Sequence, residues 1–86
     1  MTTKVKQLAN NQFIINEGDI EWLQSYDSII VKRFKQGICH LDKTYWNYSK
    51  TTSKYRNQFL GETTKETQRK IDRGLHILTD LNQEGV

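Results

Sequence analysis

The sequence predicts an α+β domain, an antiparallel sheet of three or four strands followed by two helices packed on one of its faces. Three observations predict it. Ile20 to Tyr26 alternates with a period of two, with Ile20, Trp22 and Tyr26 on one side and Glu21, Leu23 and Ser25 on the other. Ser28 to Phe34 and Ile38 to Leu41 are apolar runs joined by Lys35-Gln36-Gly37, which reads as a hairpin. From Ser49 onward, capping residues and i, i+4 spacings replace that alternation.

Taken in order, residues 1–10 read as a loosely held segment. Phe13-Ile14-Ile15 forms a strand closed by the turn-rich Asn16-Glu17-Gly18-Asp19. Asp27-Ser28 turns the chain between the second and third strands. In the hairpin turn, Gly37 takes positive φ at little cost. Tyr45-Trp46-Asn47-Tyr48 is an edge strand or an aromatic loop. Ser49 or Thr51 caps the first helix, Tyr55 and Phe59 share one of its faces, and Gly61 ends it. Thr63 and Glu66 have the spacing of a capping box. The second helix is expected from Thr64 to about Asn82, with an apolar stripe of Ile71, Leu75, Leu78 and Leu81 or Asn82. It tolerates Gly74 and carries a Glu66–Lys70 pair on its wet face.

Size and composition bound the function. Eighty-six residues, 35% hydrophobic and 27% charged, make one small domain with a modest core. No apolar run is long enough to span a membrane, and Met1 to Lys6 does not read as a signal peptide. Cys39 is the single cysteine, so no internal disulfide forms, and a cytoplasmic setting is expected. Net charge is +3, but it is unevenly laid out. Lys32, Arg33, Lys35, Lys43, Lys50, Lys54 and Arg56 face only Asp42 between residues 32 and 56, while both flanking segments are slightly acidic.

That block merges with the most informative stretch, Trp46 to Gly61, which mixes Trp46, Tyr48, Tyr55 and Phe59 with Lys50, Lys54 and Arg56 and the hydroxyls Ser49, Thr51, Thr52 and Ser53. Leu23-Gln24-Ser25-Tyr26-Asp27-Ser28-Ile29-Ile30, then Tyr48-Ser49-Lys50-Thr51-Thr52-Ser53-Lys54-Tyr55 and Phe59-Leu60-Gly61, resembles a group of small phage and plasmid accessory proteins of Gram-positive bacteria. The resemblance implies a mobile-element setting, in which many small proteins, anti-CRISPR proteins among them, bind and block host defence machinery.

Each motif has a plainer reading. The hydroxyls of Ser49, Thr51, Thr52 and Ser53 could cradle an anion with Lys50 and Lys54, but ordinary capping explains them more simply, with Thr52 turned inward. Trp22, Tyr55 and Phe59 are assigned to the core, whereas Tyr45, Trp46 and Tyr48 are open to either role. Cys39 and His40 point to opposite faces of a strand, so they form neither a metal site nor a nucleophile pair. With His76 they match no zinc spacing, and His76 is expected in solvent beside Asp72 and Arg73. Glu17, Asp19 and Glu21 supply no full oxygen shell for a cation. Phosphate loops and paired catalytic carboxylates are absent from the sequence.

The sequence therefore points to a non-enzymatic protein, without cofactor or metal, that docks on a host protein or nucleoprotein complex in the host cytoplasm. The expected surface is Lys32, Arg33, Lys35, Lys43, Lys50, Lys54 and Arg56, with Trp46 and Tyr48 as anchors. The alternatives are a small nucleic-acid-binding regulator and a homodimer paired through an edge strand.

Overall fold

The computed structural model describes residues 3–82. The elements are β1 (Thr3–Ala9), β2 (Gln12–Glu17), β3 (Ile20–Ser25), β4 (Ser28–Phe34), β5 (Cys39–Asp42), α1 (Lys50–Leu60), α2 (Thr64–Asp72) and β6 (His76–Thr79). The six strands form one sheet in sequence order. Strands β1 to β5 are antiparallel neighbours, and β6 lies parallel to β5. A parallel partner needs a long crossover, and α1 and α2 are that crossover.

The α+β class and the two helices stand, but the sheet is larger than the sequence reading and is mixed. Two segments account for the difference. Residues 1–10 were expected to be loosely held, yet Thr3–Ala9 pairs along β2 as β1. Its side chains are largely exposed, so apolar periodicity gave no sign of it. The second helix was expected to reach about Asn82 but stops at Asp72. Gly74 adopts φ 75°, the left-handed conformation that ends a helix, and His76-Ile77-Leu78-Thr79 pairs with β5. The four- and three-residue spacing of Ile71, Leu75 and Leu78 thus spans a helix end and a strand, and Leu75 and Leu78 are exposed.

Register sets the two faces of the sheet. Ile14, Leu23, Val31 and Leu41 form a row across β2 to β5. Leu23, Val31 and Leu41 are fully buried and cluster with Ile30, Cys39 and Phe59 of α1, with Leu8, Tyr45, Trp46 and Leu60 packed around them. Both helices lie on this face: α1 through Phe59 and through Thr52 on Ser25, and the α1–α2 junction through Glu62 on His76. Alternation sends Ile15, Trp22, Lys32, His40 and Ile77 to the opposite face, again as one row.

The caps follow the sequence reading. Ser49 accepts from the Thr52 amide and starts α1, and Gly61, at φ 70°, ends it with its amide on the Asn57 carbonyl. Thr63 and Glu66 form the reciprocal capping box of α2. Glu66 is thereby occupied, and Lys70 pairs with Glu62 rather than with Glu66.

Candidate functional site

The predicted basic surface does not assemble as one patch. Arg56 is fully buried and belongs to the scaffold. Its guanidinium lies 5.0 Å from the Trp46 ring centroid and donates to the Trp46 carbonyl, Asn47, Asn57 and Thr64. Burial pushes its pKa down, opposed by the charge of Glu62. Trp46 is half-buried against the core, so it is no free anchor. Arg33 is neutralised by Glu21 at 2.8 Å, donates to the Phe59 carbonyl and covers the Phe59 ring. Lys32 lies on the opposite face of the sheet, and Lys35 is in the β4–β5 turn.

Lys43, Lys50, Lys54 and Tyr48 remain exposed, and of these Tyr48 lines a cleft that the sequence reading did not name. The cleft has a volume of about 300 Å³ and is lined by Ser25, Tyr26, Asp27, Ser28, Ile30, Tyr45, Tyr48 and Thr52. The β3–β4 turn supplies one wall. The aromatic loop and the first turn of α1 supply the other. Tyr45 and Tyr48 meet edge to face at 5.4 Å, and the Ser25 and Thr52 hydroxyls share a buried hydrogen bond at its base. Beside Ser25 across the β2–β3 register, Gln12 is fully buried with its side-chain amide unpaired among the described residues.

Tyr26 is the least expected member. The β2–β3 and β3–β4 hairpins both have two-residue turns, Gly18-Asp19 and Tyr26-Asp27. At the first turn position one uses Gly18 at φ 65° and the other Tyr26 at φ 57°. A left-handed conformation costs a side-chain-bearing residue about 1–2 kcal/mol. Tyr26 is 54% exposed, so core packing does not repay that strain. The Tyr26 backbone is held in that conformation by its amide on the Asn11 carbonyl and by Gln24 Nε2 on its own carbonyl. Tyr26→Gly is expected to raise stability by about 1 kcal/mol, read as a higher melting temperature. The available signal in the sequence was a tyrosine-aspartate pair where a tight hairpin turn usually carries glycine or asparagine.

His76, beside Cys39, also stands differently from expectation. The two are register neighbours on the helix-covered face, and His76 is buried rather than solvated because it lies on β6 under Glu62. Its Nε2 lies 2.8 Å from Glu62 Oε1. Burial pushes the Cys39 thiol up, away from the reactive thiolate, with Arg33 opposing. His40 points to the other face, as the sequence implied, and no group of three or more potential metal ligands exists among the described residues.

Residues 1–74 match the model of a family of unknown function, DUF8033. The chain belongs to that family. No curated protein and no solved structure matches it. The matched DUF8033 region holds both segments that line the cleft, the β3–β4 turn and the start of α1. No helix among the described residues is long and apolar enough to cross a membrane.

Proposed function

We propose that this DUF8033 chain acts by binding, without chemistry of its own. It is read as an accessory protein of a mobile element that docks on, and inhibits, a host defence protein or nucleoprotein complex in the cytoplasm. The carrying observation is the cleft between the Ser25-Tyr26-Asp27-Ser28 turn and the Tyr48 to Thr52 segment, the two stretches on which the resemblance to such accessory proteins rests. Tyr48 is 70% exposed and Tyr26 54%, a density of free aromatic anchors that a small monomer does not need for its own core. Lys50 and Lys54 are exposed on α1, the helix whose first turn lines the cleft, and favour an anionic partner surface.

Expression in a Gram-positive host with an active nuclease-based defence should raise phage plating, and the tagged protein should capture the defence complex in a fixed ratio. Joint reversal, Lys50→Glu with Lys54→Glu, should abolish both effects while leaving the melting temperature nearly unchanged, since both lysines are exposed. Capture retained by that variant would move the surface elsewhere, and neither capture nor plating by the parent protein would end the reading.

A further inference from the structure

The face of the sheet opposite the helices is a second surface, independent of the cleft. Among the described residues neither helix covers it. Its central row runs Val5, Ile15, Trp22, Lys32, His40 and Ile77, one residue from each strand. Ile20 and Phe34 form the next row, paired across β3 and β4. Trp22, Phe34 and His40 are only half-buried, and Ile77 is 45% exposed.

The side chains at the centre are organised around one cation. Lys32 Nζ lies 4.8 Å from the Trp22 ring centroid and 5.1 Å from that of Phe34. Phe34 meets His40 edge to face at 5.3 Å. Glu17 extends the Ile20–Phe34 row onto β2, two strands from Phe34, and Asp42 gives its oxygens to the amides of Thr44, Tyr45 and Leu81. In the free protein the Lys32 ammonium sits over both rings, and its flexible four-carbon stem lets it leave them for a phosphate.

We infer that this face is a platform for single-stranded nucleic acid, with neighbouring bases stacked on Trp22 and Phe34 and the intervening phosphate drawn to Lys32. Open sheets bind unpaired strands in this way, because every base has a stacking face and a backbone charge repeats between bases. Two other occupants fit less well. A second copy docked face to face across a two-fold axis would bring Lys32 of β4, near the middle of the sheet, toward its own counterpart. An anionic membrane would engage the same lysine but offers no planar groups to stack on the Trp22 and Phe34 rings.

The test is fluorescence anisotropy of the full chain with fluorescein-labelled single-stranded DNA and RNA of roughly a dozen mixed-sequence nucleotides. Binding is expected at low salt, falling as salt rises, and weaker for the corresponding duplex. Trp22→Leu and Phe34→Leu should each weaken it about tenfold, and Lys32→Gln should flatten its salt dependence. The joint Lys50→Glu, Lys54→Glu variant should still bind, which separates this face from the cleft. Should the tryptophan variant fold poorly, Trp46→Phe leaves Trp22 as the sole tryptophan, and its emission should be quenched by the strand. No anisotropy change at low salt overturns the inference. So does binding that survives the Trp22, Phe34 and Lys32 changes, or a concentration-dependent dimer in sedimentation that those changes dissolve.

Discussion

Arg56→Ala should destabilise the fold by about 3–5 kcal/mol, the largest effect expected of a single substitution outside the apolar core. In a domain of this size that lowers the melting temperature by more than about 12 °C. The reason lies in what the guanidinium joins. One group binds the aromatic loop through Trp46 and Asn47, its own helix through Asn57, and the start of α2 through Thr64. Truncation leaves the half-buried Trp46 carbonyl and Asn57 side chain without their guanidinium donor and strips the Trp46 ring of its cover. Arg56→Lys should recover only part of the loss, because an ammonium lacks the planar fork that reaches several acceptors at once. Thermal melts of the two variants check this, and a shift of only a few degrees for Arg56→Ala would show that the loop is held by other contacts.

Glu62→Ala is the second large loss, about 2–4 kcal/mol. The Glu62 side chain is nearly buried between α1 and α2 and accepts from Lys70, His76 and Thr67. Removing it leaves the buried His76 Nε2 without its partner, whereas Thr67 keeps the Thr63 carbonyl and Lys70, 44% exposed, turns to solvent at little cost. The same contacts fix a pH dependence. Burial alone would raise the Glu62 pKa, but hydrogen bonds from Lys70, His76 and Thr67 outweigh it, so the carboxyl sits below its ordinary value. A carboxyl depressed on folding contributes stability that is fully present above its unfolded pKa, about 4.3, and is lost as pH falls through the folded value. Lys70 is raised by its hydrogen bond to the same carboxylate, so its share is present below the ordinary lysine range and is lost in strong base. Denaturation across acid pH should therefore show a loss in the parent protein that Glu62→Gln flattens. An identical acid profile in the two proteins would assign the loss to other carboxylates.

Much of the fold was legible because alternation and capping are local signals. Alternation marks the strands but not their buried side: the sequence reading assigns Trp22 to the core, whereas the helices cover the Leu23, Val31 and Leu41 row and Trp22 lies on the opposite face. Ser49, Gly61 and the Thr63–Glu66 box mark helix ends by chemistry that needs no tertiary context. The two missed strands are both edges of the sheet. β1 offers mostly exposed polar residues, and β6 is four residues long with two of them exposed, so neither carries the pattern of a half-buried strand. Its pairing with β5 is set by the crossover, a long-range fact.

The site was legible in composition but not in placement. Lysines and arginines look alike in a sequence, yet Arg56 is consumed by the interior, Arg33 by Glu21, and Lys32 by the far face. What separates them is hydrogen-bonding opportunity: a guanidinium can satisfy several acceptors at once, and Trp46, Asn47, Asn57 and Thr64 converge only where α1 and α2 pack together. The cleft was likewise divided between two segments far apart in the chain. Only Tyr26, in a turn position that the neighbouring hairpin gives to Gly18, betrayed it locally.

Tyr26→Gly probes that cleft most directly, by melting temperature and by capture of the host complex measured on the same preparation. The account predicts a protein that melts higher than its parent and holds its partner more weakly. A variant that melts higher and binds unchanged would contradict it, because the strained tyrosine would then serve neither the fold nor the partner.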